Sequence, residues 1–199
     1  MVSSVSTSPA ANRKTGGFSL TEMLVTLLIL VLASTLMATG IPAAIDVYHK
    51  IVKTSNAQLA LSTTLAAMRA EIGMASDARV LTVDEKDKIY YYIPNEGCWA
   101  SIQNSETYRG LEKQYYKGMP TASVSLEDLT PDGSSMPLMS DEAITESLEV
   151  NLTPIPATSD KAGVDLRLSV IDSISADKNV LASVGEGENT FRILTRFTE

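Results

Sequence analysis

The stretch that decides the fold is Lys14-Thr15-Gly16-Gly17-Phe18-Ser19-Leu20-Thr21-Glu22-Met23-Leu24-Val25. One carboxylate, Glu22, stands at the head of a run that contains no Asp, Glu, Lys, Arg or His from Met23 to Ile45. As a helix rising roughly 1.5 Å per residue, this run measures about 34 Å, enough to cross a hydrocarbon core of roughly 30 Å. A carboxylate buried alone at the edge of such a span costs about 2 to 3 kcal/mol, so Glu22 asks for a partner.

Ahead of the span lie residues 1–17, rich in Ser, Thr and Ala, with Arg13 and Lys14 as the only charges. The 199-residue chain carries a net charge of −8, so removing these two cations leaves −10 on the remainder. An acidic exterior with no basic patch argues against nucleic acid as a directly bound partner, because phosphate neutralisation needs clustered Lys and Arg.

Three readings of the N-terminus compete. A secretory signal would be cut after the apolar region, near Ala38 or Ala44. A plain anchor needs only the span and its flanking charge; Arg13 and Lys14 favour a cytoplasmic N-terminus, while Lys50 and Lys53 weaken the asymmetry. Neither reading uses Glu22.

The third reading does. Gly17-Phe18-Ser19-Leu20-Thr21-Glu22, after a short basic leader and before the apolar run, resembles the processing site of type IV prepilins and pseudopilins. The resemblance implies a cut between Gly17 and Phe18 by a membrane-embedded prepilin peptidase, with methylation of the new Phe18 amine. It also implies that Glu22 offsets the N-terminal amine of a neighbouring subunit during filament assembly. Thr21 departs mildly from the family, where an aliphatic residue is common. The structural alternative is that Gly16-Gly17 is a flexible entry to a helix capped by Ser19 or Thr21.

Beyond the span, Pro42 predicts a bend rather than an end. Leu61, Leu65, Met68 and Ile72 then mark one stripe of an amphipathic helix that closes near Gly73 to Asp77. From there, short β-like runs alternate with turns: Lys88 to Ile93, a Pro94-Asn95-Glu96-Gly97 turn, Cys98 to Ile102, Glu146 to Leu152, Val164 to Ile171 and Thr190 to Phe197. Segments 103–118, 128–141 and 153–163 read as loops, and Ser140 to Leu148 has a short helix as its alternative. The predicted architecture is α+β: leader 1–17, membrane helix 18–45, amphipathic continuation 46–76, and a β-rich extracytoplasmic domain 77–199 with an antiparallel sheet on the helix. Pilin resemblance implies the same arrangement.

The chain is poor in chemistry-bearing residues. His49 is the sole histidine, placed beside Lys50 just past the apolar run, so no Ser-His-Asp set can be built without it. Cys98 is the sole cysteine, so no internal disulfide forms, unlike the many pilins that close a C-terminal loop with one. The acidic runs 84–87 and 127–133 lack the alternating oxygen spacing of a calcium loop and read as solvated turns. Tyr90 to Tyr92, Tyr108, Tyr115 and Tyr116 offer a stacking surface or, more simply, strand packing. No catalytic, cofactor-binding or metal-binding residue is predicted. The expected function is a filament subunit of a pilus, type II secretion or DNA-uptake system, with a peptidase, sister subunits and membrane lipid as partners. The runner-up is a membrane-anchored or secreted extracytoplasmic binding protein.

Overall fold

A computed structural model describes residues 17–83, 86–117, 130–140, 144–155, 163–185 and 190–195. The chain divides into two units between Tyr48 and His49. One helix, α1 (Leu20–Gly73), supplies residues to both. Ser19 precedes its first turn, and the Met23 amide donates to the Ser19 carbonyl at 3.1 Å. Pro42 lies inside the helix, which continues past it. At the far end, the Met74 and Ala75 amides donate to the Glu71 and Ile72 carbonyls at 3.3 and 3.1 Å, the tighter spacing that ends many helices.

The buried face of α1 runs through Ala57, Ala60, Thr64, Met68 and Ile72. Two of the four stripe residues read from the sequence, Met68 and Ile72, lie on it, while Leu61 and Leu65 flank it and pack partly buried against the same core. The axis is displaced because Ala60 and Thr64 are small enough to let the helix approach strands closely. The Thr64 hydroxyl costs little there, since it donates to the Ala60 carbonyl at 2.8 Å.

Nine strands follow: β1 (Asp77–Val83), β2 (Lys86–Ile93), β3 (Cys98–Asn104), β4 (Leu111–Lys117), β5 (Thr130–Pro137), β6 (Leu148–Ile155), β7 (Val164–Asp172), β8 (Val180–Val184) and β9 (Phe191–Ile193). They form two antiparallel sheets rather than one. The first has order β1-β2-β3-β4-β5; in the second, β7 pairs with β6 along one edge and with β8 and β9 along the other. The β2–β3 hairpin turns through residues 94–97 as the sequence predicts, with Gly97 at φ 64° and Ile93 opposite Cys98.

Segments 103–118 and 128–141, read as loops, contain β4 and β5. β5 carries Pro131, Gly133 and Pro137, which read as turn chemistry, but it is an edge strand, where missing donors are tolerated. A register shift opposite β5, between Gln114 and Tyr116, accommodates the irregularity. Segment 153–163 begins inside β6, and the described residues before Leu148 form a turn rather than a helix.

The main core joins the buried helix face to one face of each sheet: Ile89, Tyr91, Ala100, Ile102 and Leu111 from the first, and Leu148, Val150, Leu152, Val164, Leu166, Leu168 and Val170 from the second. A smaller cluster of Tyr90, Trp99 and Tyr116 lies on the opposite face of the first sheet, with Leu81, Val83 and Tyr92 packed on it. Apolar residues on both faces erase the simple alternation that makes a strand visible.

Candidate functional site

The sequence singles out Gly17, Phe18 and Glu22, and the structure places them at the start of α1. Gly17 and Phe18 precede the helix; Phe18 is 81% exposed, and open space surrounds the position of a Gly17 Cβ. The Glu22 carboxylate turns back, and its Oε2 accepts from the Ser19 amide at 3.0 Å. With Ser19 at the cap and Glu22 three residues on, this is half of a capping box: it satisfies an amide that the first turn would otherwise leave open. The Ser19 side chain is engaged with the Thr21 hydroxyl at 2.7 Å, and the acid also complements the positive end of the helix. Glu22 therefore has a local partner in its own chain, which the sequence reading had not assigned.

Every residue from 17 to 52 is exposed, including Leu24, Leu27, Leu28, Leu30 and Leu32. The helix is long and apolar enough to cross a membrane, a property that a signal sequence shares. Its hydroxyls need no outside partner: Thr26, Ser34, Thr35 and Thr39 each donate to a carbonyl three or four residues back. That closure suits either lipid or the apolar flank of another helix, since neither offers hydrogen bonds.

Within the second unit, polar side chains attach α1 to both sheets. Glu71 Oε2 accepts from Lys113 Nζ at 2.6 Å and from the Tyr91 hydroxyl at 3.1 Å. Lys113 also lies 4.6 Å from the Tyr115 ring centroid. Burial, then the adjacent Glu71 carboxylate, pushes the Tyr91 hydroxyl far above its ordinary pKa. For Lys113, burial opposes the charge, but hydrogen bonds with Glu71 and Tyr115 outweigh it and raise its pKa. Toward the second sheet, Lys53 Nζ lies 2.5 Å from Asp172 Oδ2, and the Arg69 guanidinium sits 4.7 Å from the Phe191 ring centroid. Sequence reasoning missed this network; its only sequence trace is a lysine between Leu111 and Tyr115 in a strand that looks too polar to be buried.

The remaining candidates resolve into packing. Tyr90, Tyr91 and Tyr116 are buried, and Tyr92, Tyr108 and Tyr115 are partly buried. Cys98 is partly buried with its Sγ 3.6 Å from Glu96 Oε2; burial and then that carboxylate raise the thiol pKa, which disfavours the reactive thiolate. His49 is exposed. Asp87 accepts from the Thr82 hydroxyl and Asp132 pairs with Lys117, while residues 84–85 and 127–129 of the acidic runs lie outside the described residues, as does the leader through Gly16. Among the described residues, no group of three or more His, Cys, Asp or Glu side chains is placed to hold a metal ion.

No family model, curated protein or solved structure matches the chain.

Proposed function

We propose that this chain is a structural subunit of a type IV pilus or pseudopilus. In this reading it is made with its N-terminus in the cytoplasm and its β-rich domain outside, is cut between Gly17 and Phe18, and enters a helical filament through its apolar helix. The observation that carries the reading is the order Gly17, Phe18, Glu22 and then an apolar helix whose surface is exposed through residue 52. A cut before the helix leaves the span on the product, so one element serves as a lipid anchor first and as a filament contact afterwards. In the filament, Glu22 would exchange the Ser19 amide for the Phe18 ammonium of a neighbour, a charge-assisted contact in surroundings of low dielectric. Repetition of such a heterologous contact generates a fibre when it does not close.

The Ser19–Glu22 bond itself favours a second reading, since it gives the carboxylate a use that needs no neighbour. In that reading the chain is a membrane-anchored or secreted extracytoplasmic binding protein with an ordinary anchor or signal. Mass spectrometry of the mature N-terminus, in cells with and without a prepilin peptidase, separates the two. An N-methylated Phe18 that depends on the peptidase supports the filament subunit. An intact N-terminus, or one beginning after Ala38 or Ala44, rejects it.

A further inference from the structure

A cleft of about 680 Å³ opens in the second unit between the first sheet and β6. Its volume lies within the range of roughly 300 to 1,000 Å³ typical of small-molecule sites. One wall is a row across three adjacent strands: Gln103 of β3 is registered with Glu112 of β4, and Lys88 of β2 stands one position beyond the Ile89–Ile102 pair, beside Gln103. The facing wall brings the exposed Asn151 and Thr153 from β6.

Most polar groups in the cleft are already committed. Glu112 accepts from the Gln103 amide nitrogen through Oε1 and from the Ser105 hydroxyl at 3.0 Å through Oε2, and Glu106 is paired with Lys86. Two groups are not. The Gln103 Oε1 atom is buried with no hydrogen-bond partner among the described residues. Its neighbour Lys88, half-buried, makes no hydrogen bond or ion pair among them. An uncompensated buried acceptor costs about 1 to 3 kcal/mol, so a donor delivered to Gln103 Oε1 recovers energy that the empty fold forgoes.

The lining narrows the ligand. Leu152 and Pro154 are its only apolar residues and no aromatic ring is present, which disfavours lipids and nucleobases. The carboxylates of Glu106 and Glu112 are spent on internal partners, which disfavours a cation. What remains is a ligand offering hydroxyl donors to Gln103 Oε1 and oxygen acceptors to Lys88, Asn151 and Thr153. We propose that this cleft binds a short hydroxyl-rich saccharide, held by Gln103 and Lys88. The site lies wholly in the second unit and stands whether the chain is a filament subunit or an anchored binding protein.

Calorimetric titration of the full chain in detergent micelles with chitotriose and with trigalacturonic acid tests the site. Saturable binding of at least one trisaccharide is expected, weakened about tenfold by Lys88→Met and abolished by Gln103→Leu. Lys178→Gln, in the exposed turn after β7, should bind as the parent does. Lys88 supports no internal bond, so Lys88→Met decides the matter even if Gln103→Leu misfolds. Tighter binding of the acidic sugar, with the preference lost in Lys88→Met, would add a carboxylate to the ligand's recognised groups. Absence of binding by both sugars, or binding unchanged in Lys88→Met, overturns the proposal.

Discussion

The Asn104 carboxamide pairs with the backbone of Leu152 as a strand would: its Oδ1 accepts from the Leu152 amide at 2.7 Å and its Nδ2 donates to the Leu152 carbonyl at 2.9 Å. The contact joins the two sheets and seals the outer edge of β6. Along that edge, the Leu148 amide donates to the Thr145 carbonyl at 2.9 Å, the Val150 amide donates to the Arg109 carbonyl at 2.9 Å, and Pro154 has no amide to offer. An edge so closed cannot recruit a foreign strand.

Asn104→Leu should therefore cost about 1 to 2 kcal/mol, two modest hydrogen bonds, and leave the Leu152 amide open. Urea denaturation reads the first effect. Concentration-dependent light scattering, absent in the parent and present in the variant, reads the second; a variant as stable and as monodisperse as the parent would show that the seal is idle.

The Glu71–Lys113 pair should be costly to break from one side. Lys113 has a side chain only 8% exposed, so Glu71→Leu leaves a cation nearly buried and is expected to destabilise by about 3 kcal/mol. Glu71→Leu with Lys113→Met removes both charges and should cost less than Glu71→Leu alone. A double-mutant cycle by chemical denaturation measures the coupling, and additive losses would contradict it.

The same network fixes the alkaline limit. Tyr91 and Lys113 have folded pKa values above their unfolded ones, so the stability they contribute is full below about pH 10 and falls as pH rises from there toward the folded values. At the acid end, hydrogen bonds from Arg192 and Lys53 are the main causes that lower the pKa values of Asp165 and Asp172. Their contribution is present above about pH 4 and is lost as pH falls through the folded values. Melting temperatures across pH should decline at both ends, with Asp165→Asn flattening the acid limb and Tyr91→Phe the alkaline one.

Gly163 opens β7 at φ 134°, and a Cβ there would stand 2.5 Å from the Ile193 carbonyl oxygen of β9. Both the backbone strain and the backbone clash oppose a side chain, so Gly163→Ala should lose about 3 kcal/mol. Hydrogen exchange should show the loss first in β9, which is three residues long and is held by the Arg192 Nε donation to Asp165 Oδ1 at 2.7 Å.

Glu22→Gln separates the two uses of that residue. A glutamine oxygen can still accept from the Ser19 amide, so the cap survives while the charge is gone; Glu22→Ala loses both, at about 1 kcal/mol of local helix stability. If assembly needs the charge, both variants should insert in the membrane and both should fail to enter filaments. Normal incorporation of Glu22→Gln with failure of Glu22→Ala would assign the residue to the cap alone.

The sequence by itself determined the elements whose partner is local or is solvent of uniform character. The uncharged run from Met23 to Ile45 reads as a span because a helix satisfies its own backbone, and the 94–97 hairpin turn is legible because Gly97 and its neighbours act within four residues. Val164 to Val170 is legible because one face of β7 meets only apolar core. Tertiary structure decided what depends on distant partners. β4 hides behind Glu112 and Lys113 because its buried lysine is paired with Glu71 on α1, 42 residues earlier. β5 looks like a turn because an edge strand need not offer every donor, and the division into two sheets rests on Asn104 meeting Leu152 across 48 residues. Even the helix stripe shifted for this reason: the sequence places the apolar residues, but which small side chains admit a sheet is settled only when the sheet arrives.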